Sequence, residues 1–220
     1  MRLYIVRHGE TDWNRIHRVQ GRTDIPLNDY GRRLARETAE GMKEVRIDLG
    51  YTSPLLRAKE TAQIILADRG VPLYEDSRIE ELSFGSYEGM RTGGEAKEPG
   101  SEAFNRFFTD TANYVPPQDA ESIPQLYERT GKFLAEIYER EDLKDRSILV
   151  STHGAAMTAL LNRIRGNLSV SEFWKDEVPP NCSVTEVEVS GGKARIIREG
   201  VIYYKEKVRK STFSYKIPPM

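Results

Sequence analysis

Two histidines each follow a short apolar segment of strand-forming residues. Residues 2–6 are followed by Arg7 and then His8, and residues 148–150 are followed by Ser151, Thr152 and then His153. Such runs are typical of buried strands. Ligands of open α/β sheets bind beyond the carboxyl ends of the strands, so we expect the two imidazoles to meet in one crevice. A single histidine at a strand end is more often structural, and it is the pair that points to chemistry.

Cationic side chains accompany the histidines. Arg7 directly precedes His8, and Arg57 follows Ser53-Pro54 after an apparent strand at residues 49–52. The Ser-Pro pair predicts a helix with Ser53 as its N-cap and Pro54 in its first position. Arg57 would then lie beside the free N–H groups and positive dipole end of that helix, a good place for an anion. The alternative is a surface arginine on an ordinary capped helix.

A glycine-punctuated segment at residues 80–89 carries the adjacent acids Glu80 and Glu81. Paired acids on a loop are usually only solvated, so this segment alone is a weak indication of a site. The spacing of Cys, His, Asp and Glu along the chain fits neither a zinc site nor a calcium loop. We therefore predict that the chemistry needs no metal.

These segments alternate with amphipathic helices. Apolar stripes with helical spacing predict helices at residues 34–42, 55–65 and 123–137. Short apolar runs predict strands at residues 2–6, 49–52, 71–74 and 148–150. The alternation predicts a three-layer α/β/α sandwich with a mostly parallel central sheet. Residues 183–189 and 193–198 flank two glycines and predict a hairpin that supplies an antiparallel edge.

The length and composition predict one domain over residues 1–220, with a helical cap insertion at about 91–124 and a basic C-terminal extension at about 203–220. The insertion holds six acids and three bases around Phe104, Phe107 and Phe108. These rings would either line a pocket or attach the insertion to the core. The extension is interpreted as a solvated or docked terminus.

The whole-chain composition argues against several classes of partner. A net charge of −1 gives no field that would gather nucleic acid or anionic lipid. The mean hydropathy of −0.59 argues against a membrane protein, and the single Cys182 agrees with a reducing compartment. We therefore expect a cytoplasmic protein that binds neither nucleic acid nor membrane.

Considered together, these segments resemble the histidine phosphatase superfamily, the phosphoglycerate mutase-like phosphatases and mutases. The resemblance spans most of the chain, and its segments follow one another in family order. They are Arg7 to Asn14, Gln20-Gly21, Asp24 to Leu27 with Gly31, Ser53 to Ala58 with Thr61-Ala62, Glu81 to Gly89, Glu121-Ser122 with Arg129, and Thr152-His153-Gly154.

The resemblance implies a role for each residue. His8 would attack phosphorus and become phosphohistidine. Arg7 and Arg57 would hold the phosphate and keep His8 neutral, and His153 would donate to the equatorial oxygens. Glu81 would protonate the departing alkoxide and then act as base for the incoming water. The residues that the resemblance places around the substrate are Asn14, Gln20, Gly21, Gly154 and Ala155; no metal or cofactor is implied.

The resemblance leaves a choice between phosphatase and mutase, and a third possibility is a non-catalytic binding protein on the same fold. A mutase needs extra cations for the second anion of a bisphosphorylated intermediate, whereas the insertion is net acidic and carries aromatic residues. We therefore favour hydrolysis of a small phosphorylated metabolite with a neutral or partly apolar body. Since every residue of the implied pocket is present, the binding protein is the weakest alternative. A homodimer remains an option.

Overall fold

The structure is a computed structural model that describes residues 1–174 and 178–205. Its strands are β1 (Arg2–Arg7), β2 (Leu49–Thr52), β3 (Leu73–Glu75), β4 (Ser147–Thr152), β5 (Val184–Ser190) and β6 (Lys193–Val201). Its α-helices are α1 (Asp12–Arg15), α2 (Asp29–Gly41), α3 (Leu56–Leu66), α4 (Ser101–Thr109), α5 (Ile123–Glu139) and α6 (Gly154–Arg165). Each predicted strand and each predicted amphipathic helix is present, with ends shifted by a few residues.

One sheet joins all six strands in the order β3-β2-β4-β1-β5-β6. Strands β1 to β4 pair in parallel, and β5 runs antiparallel to both β1 and β6. The prediction of a mostly parallel sheet with an antiparallel edge is confirmed. Parallel pairing also brings the ends of β1 and β4 together, because Arg7 lies opposite Thr152. His8 and His153, the next residues, therefore leave the sheet side by side.

Strand β1 shows why the fold has three layers. Its side chains alternate, so that Leu3 and Ile5 pack with residues of α5 and α6 on one face of the sheet. Tyr4 and Val6 pack on the other face with Ile65 of α3 and with Met42, the residue that follows α2. Both faces are buried by helices, as expected for a sheet of parallel strands.

A close approach of two glycines holds the segment after β1 against helix α2. A Cβ atom on Gly9 would lie 2.7 Å from the carbonyl oxygen of Gly31, and one on Gly31 would lie 2.1 Å from that of Glu10. Real Cβ atoms do not approach backbone so closely, so larger residues would force the segments apart. The backbone that follows His8 therefore has little freedom to shift.

Helix α3 begins differently from the prediction. Ser53 was predicted as its N-cap, but the helix begins at Leu56, and Leu55 occupies the cap position without a side-chain hydrogen bond. Asp24 Oδ1 instead accepts the N–H of Leu56 at 2.7 Å. The Ser53 prediction was wrong because the acceptor comes from a distant loop, which local sequence patterns cannot reveal.

The first residues of the predicted C-terminal extension dock on the body of the protein. The hydroxyl of Tyr204 donates to the Asn181 carbonyl at 3.1 Å, and the Lys205 N–H donates to Glu37 at 3.1 Å. The rest of that extension, residues 206–220, lies outside the described residues. Within the described part of the chain, no helix is both long and apolar enough to cross a bilayer.

Candidate active site

His8 lies at the carboxyl end of β1 and is almost completely buried, with 2% of its surface exposed. Its backbone N–H donates to the Thr152 carbonyl at 2.9 Å, which ties it to β4. The ring atom Nδ1 lies 2.7 Å from the Gly9 carbonyl oxygen. Because a carbonyl can only accept, Nδ1 carries the hydrogen and Nε2 carries the lone pair. Nε2 is therefore the nucleophilic atom.

The charge state of His8 follows from its surroundings. Burial, followed by the positive charges of Arg57 and Arg7, holds the pKa of His8 well below its usual value of 6.5. The hydrogen bond to Gly9 opposes this shift as a smaller effect. The imidazole is therefore neutral at pH 7, with the lone pair that attack on phosphorus requires.

His153 lies at the end of β4, and the centre of its ring is 5.2 Å from that of His8. Burial and then the charge of Arg57 lower its pKa well below 6.5. Its Nε2 is 2.8 Å from Ser53 Oγ, which also accepts the N–H of Leu55 at 3.3 Å. With the Ser53 hydroxyl donating to Nε2, the buried Nδ1, which has no partner among the described residues, is left to donate to a ligand.

Arg57 is fully buried near the start of α3. Its Nη1 donates to the Thr23 carbonyl at 2.9 Å and its Nη2 to the Gly21 carbonyl at 2.6 Å, whereas Nε has no partner within the described residues. Burial lowers its pKa to about 10, so the guanidinium stays charged at pH 7. Neutral carbonyls orient this cation without cancelling its charge. It therefore remains available to an anion.

Arg7 is the second buried cation. Its Nη1 donates to the Pro179 carbonyl, and its buried Nε lacks a partner in the described part of the chain. Burial lowers its pKa to about 10, which again leaves it charged. Two guanidiniums held by carbonyls, together with two neutral imidazoles, make a positive pocket suited to a phosphate dianion.

Glu81 lies against the N-terminus of α6. Its carboxylate accepts the N–H groups of Leu82 at 2.9 Å, Ala156 at 3.0 Å and Ala155 at 3.2 Å. A Cβ built on Gly154 would lie 3.6 Å from Glu81 Oε2 and 3.8 Å from Arg7 Nε. The carboxyl group is therefore close to the phosphate-binding cations, and Gly154 leaves the space between them open.

The backbone of Glu81 is held from the opposite side by Arg129. That guanidinium donates to the carbonyls of Glu80 at 2.8 Å and Glu81 at 3.0 Å, and it forms an ion pair with Glu121 at 2.6 Å. Arg129 and Glu121 belong to the matched family segments, and the structure shows what they do. They fix the loop that carries the acid.

Three further residues of the predicted substrate set lie on the segment after His8. Asn14 Oδ1 accepts the N–H of Thr11 at 3.1 Å, and the Thr11 hydroxyl also contacts Gln20 Oε1 at 2.9 Å. The side chains of Asn14 and Gln20 line the same pocket as His8. Gly21 lines it as well, and its carbonyl holds Arg57. The structure thus brings all ten predicted site residues together; their roles stay predictions.

Glu88 is a residue of the site that the sequence analysis did not single out. Its carboxylate accepts the N–H groups of Arg22, Thr23 and Phe84 and the hydroxyl of Thr23, at 2.6–3.0 Å. Gly21 has a φ of +54°, and a Cβ there would lie 2.1 Å from Glu88 Oε1. Glu88 therefore fixes the loop whose carbonyls orient Arg57. Its position within the matched segment 81–89 was the available signal.

Nine of the ten predicted site residues line one pocket, and the tenth, His153, lies next to it with its ring centre 5.2 Å from that of His8. The same pocket has seven further apolar lining residues. Phe104, Phe107 and Phe108 are the rings for which the sequence left open pocket lining or attachment to the core, and Val19, Phe84, Trp174 and Val178 were not predicted to line a pocket. No group of three or more His, Cys, Asp or Glu residues within residues 1–174 and 178–205 is arranged to hold a metal ion.

Comparisons with known proteins point to one family. The profile of the histidine phosphatase superfamily (branch 1) matches residues 3–201. The uncharacterized phosphatase PhoE of Bacillus subtilis is 40% identical over 162 residues, which are 74% of this chain and 76% of that protein. Phosphoglycerate mutase-like protein 4 of Arabidopsis thaliana is 37% identical over 165 residues, 74% of this chain and 70% of its own.

A solved structure shows the same fold. Bacillus stearothermophilus YhfR superposes with a TM-score of 0.80 at 31% identity, and the match covers 90% of this chain and 96% of that one. The family profile spans both histidine-bearing strands and the hairpin at the antiparallel edge. The chain belongs to the histidine phosphatase superfamily, branch 1.

Proposed function

We propose that the protein is a phosphomonoester phosphatase that works through a phosphohistidine on His8. The observation that carries this proposal is the neutral, buried His8 ring, with its free Nε2, in a pocket that is also lined by the charged guanidiniums of Arg7 and Arg57. Such an arrangement gives a nucleophile and a binding site for its phosphate target in the same place. The substrates would be small phosphorylated metabolites, and the location would be the cytoplasm.

In the first step the lone pair of His8 Nε2 attacks phosphorus, and the bond from phosphorus to the alcohol oxygen breaks. Arg7, Arg57 and His153 Nδ1 donate hydrogen bonds to the phosphoryl oxygens, on which charge develops. The departing alkoxide takes a proton from Glu81 and leaves as a neutral alcohol.

In the second step water attacks the phosphohistidine. Glu81, now a carboxylate, takes a proton from the water, and the new P–O bond forms as the N–P bond breaks. The electron pair of that bond returns to Nε2. Inorganic phosphate leaves, and the neutral ring of His8 is restored. No external oxidant, reductant or cofactor enters the balance of this cycle.

Hydrolysis is favoured over mutase transfer by the charge of the pocket. A bisphosphorylated intermediate needs cations for its second phosphate. Beyond Arg7 and Arg57, Arg18 is the one cationic residue among the described pocket lining, and five other lining residues are aromatic. Water, which needs no second anion site, is therefore the better supported acceptor.

The proposal is tested by hydrolysis of para-nitrophenyl phosphate in the presence of a chelator. We expect wild type to release phosphate and to carry acid-labile phosphate on His8, and His8→Ala to do neither. His17→Asn is the matched control, since it removes a histidine outside the pocket and asparagine tolerates the φ of 58° found there. Equal rates for wild type and His8→Ala would disprove the mechanism. Interconversion of phosphoglycerates without comparable phosphate release would establish the mutase instead.

A further inference from the structure

The peptide group between His8 and Gly9 is held at both of its polar atoms by side chains. Asn181 Nδ2 donates a hydrogen bond to the carbonyl oxygen of His8 at 2.9 Å. The N–H of Gly9 donates to Thr61 Oγ1 at 3.0 Å. Thr61 lies in α3, whereas Asn181 shortly precedes β5, so two distant segments of the chain fix one peptide plane.

That peptide depends on such support because residue 9 is a glycine. Its close approach to the Gly31 carbonyl leaves no space for a Cβ atom. Glycine restricts φ and ψ least of all residues, so its own structure does not oppose rotation of the neighbouring peptide groups. The Gly9 carbonyl accepts the hydrogen on His8 Nδ1 at 2.7 Å. A rotation would withdraw that acceptor, and the hydrogen would then be free to reside on Nε2, the atom that has to attack.

The hydroxyl of Thr61 uses both of its hydrogen-bonding functions. It accepts the N–H of Gly9 and donates to the carbonyl of Arg57 at 2.7 Å. Thr61 is fully buried, so the Gly9 N–H would lose its acceptor without water to replace it. One hydroxyl thus joins the peptide after the nucleophile to the first turn of the helix that carries Arg57.

Asn181 lies on a segment that is tied to the other cation. The Pro179 carbonyl accepts Nη1 of Arg7, and the Cys182 N–H donates to the Arg7 carbonyl at 3.0 Å. Cys182 has a φ of 54°, which a residue other than glycine keeps only where its surroundings fix it. The hydroxyl of Tyr204 holds the Asn181 carbonyl from outside. The segment therefore offers Asn181 a fixed base.

We propose that Thr61 and Asn181 are positioning residues for the attack on phosphorus. By holding the two polar atoms of the His8–Gly9 peptide, they keep the Gly9 carbonyl on Nδ1 and so keep the lone pair of His8 on Nε2. Neither side chain lines the pocket, so they act through His8 rather than on the substrate. The inference rests on the proposed phosphatase function.

The test begins with two replacements of Thr61 and with para-nitrophenyl phosphate as substrate. Thr61→Val keeps the size of the side chain and removes the hydroxyl, and kcat/KM should fall by about 10-fold to 100-fold. The inhibition constant of inorganic phosphate should stay as in wild type, because the Arg57 guanidinium keeps its own partners. Thr61→Ser keeps the hydroxyl and should stay near wild type. A larger loss in Thr61→Ser than in Thr61→Val would show that packing matters instead, and would overturn the proposal.

Thr130→Val is the matched control. Thr130 is fully buried in α5, and its hydroxyl donates to the carbonyl four residues earlier, that of Leu126, at 2.7 Å. Thr61 makes the same kind of bond to Arg57, but Thr130 has no contact with the His8–Gly9 peptide. Thr130→Val should leave kcat/KM unchanged. A loss as large as that of Thr61→Val would mean that removal of any buried hydroxyl has this effect, which refutes the inference.

A double variant tests whether the two side chains act on one peptide. Asn181→Leu removes the donor to the His8 carbonyl and should lower kcat/KM about tenfold. Once either hold is released the peptide can rotate, so Thr61→Val with Asn181→Leu should lose little more than the more impaired single variant. Losses that multiply would show that the residues act independently, and that outcome contradicts the proposal.

The tautomer of His8 gives a measurement that needs no turnover. Nitrogen NMR of protein labelled with ¹⁵N in its histidine rings distinguishes Nδ1–H from Nε2–H, and the signals that vanish in His8→Asn belong to His8. We expect the Nδ1–H form in wild type and a growing Nε2–H fraction in Thr61→Val and Asn181→Leu. The same tautomer in all three proteins would overturn the inference. If wild type hydrolysed no ester, the proposed function would fail, while these spectra would still decide the role of the two side chains.

Discussion

The two ends of the pocket are built on different principles. At the phosphate end, polar and charged groups are buried and each is oriented by hydrogen bonds, as Arg57 is by the carbonyls of Gly21 and Thr23. At the apolar end, rings are held by contact with one another, as Phe107 is with Trp174. A buried polar group depends on specific partners, whereas apolar packing tolerates changes of shape at similar volume.

The two ends also come from different parts of the chain. The phosphate end uses residues at the starts of helices and the ends of parallel strands, such as His8 and His153. The apolar end draws three rings from α4, within the segment predicted to be an insertion. Under the proposed function, the residues at the edge of the sheet set the chemistry and the insertion sets the substrate preference.

Glu81 lies where the two ends meet, and its replacement should have the largest effect. Glu81→Gln removes the proton donor, so kcat/KM for alkyl phosphates should fall by about 10² to 10⁴. The loss for para-nitrophenyl phosphate should be much smaller, because nitrophenolate leaves without a proton. Steady-state kinetics with both substrates measure the difference. Equal losses would mean that Glu81 supports structure rather than proton transfer.

Arg57 tests the electrostatics of the phosphate end. Arg57→Met should lower kcat/KM by about 10² to 10³ through the loss of one charged donor. It should also raise the pKa of His8, because Arg57 contributes to holding that pKa below 6.5. The acidic limb of the pH profile of kcat/KM then moves to higher pH. Arg57→Lys keeps a positive charge and should leave the limb nearer its original position; no shift in either variant contradicts the account.

Glu88 tests whether the loop that orients Arg57 matters for binding. Glu88→Gln replaces one of the oxygens that accept hydrogen bonds with an NH₂ group, so the Gly21–Thr23 loop should loosen. We expect KM to rise about tenfold for every phosphomonoester, with the order of substrates unchanged. Glu128→Gln, at an exposed position on α5, is the control. If Glu88→Gln changed the ranking of substrates by kcat/KM, Glu88 would act on the leaving group rather than on the phosphate, which would contradict this account.

The phosphate end should also make stability depend on pH. His8 and His153 stay neutral when folded but titrate near 6.5 when unfolded, so protons bind to the unfolded state first as the pH falls. Each contributes a loss of up to about 1.4 kcal/mol in the free energy of unfolding per pH unit below 6.5. Urea unfolding between about pH 5.5 and 7.5 measures this slope.

Two variants distinguish the contribution of the histidines from that of the aromatic residues to the pH dependence of the free energy of unfolding. His8→Asn should reduce the slope, because it removes one of the titrating groups. Phe107→Leu should lower the free energy of unfolding by about 1 kcal/mol and leave the slope unchanged, since it alters apolar packing alone. If Phe107→Leu changed the slope as much as His8→Asn, the assignment of the pH dependence to the histidines would be wrong.

Much of the fold could be predicted because its signals are local. The alternation of apolar runs and helical stripes predicted strands β1 to β4 and helices α2, α3 and α5, since burial on a regular element has a fixed period, and the two glycines between apolar runs predicted the hairpin of β5 and β6. The division into a single domain with a cap, the homodimer and the cytoplasmic location stay predictions. The basic residues beyond Lys205 lie outside the described part of the structure.

The site was predicted less evenly than the fold. Its chemically active residues were found because reactive side chains stand out by type and because they match family segments. Ser53 was predicted to cap helix α3, whereas its hydroxyl contacts His153. Glu88 was not singled out as a residue of the site. Trp174 and Val178 were missed because an apolar residue in a pocket wall has the same local pattern as one in the core.

By itself, the sequence determined which elements form, which residue types could do chemistry, and that two histidines follow parallel strands. Only the tertiary structure decided that the Ser53 hydroxyl forms a hydrogen bond with His153, that Asp24 supplies the acceptor at the start of α3, and that the phenylalanines of α4 line the pocket. The physical reason is the separation along the sequence between the residues that interact. Secondary structure follows from neighbouring residues, whereas the partner of a buried polar group is chosen by distant segments that folding brings within hydrogen-bond distance.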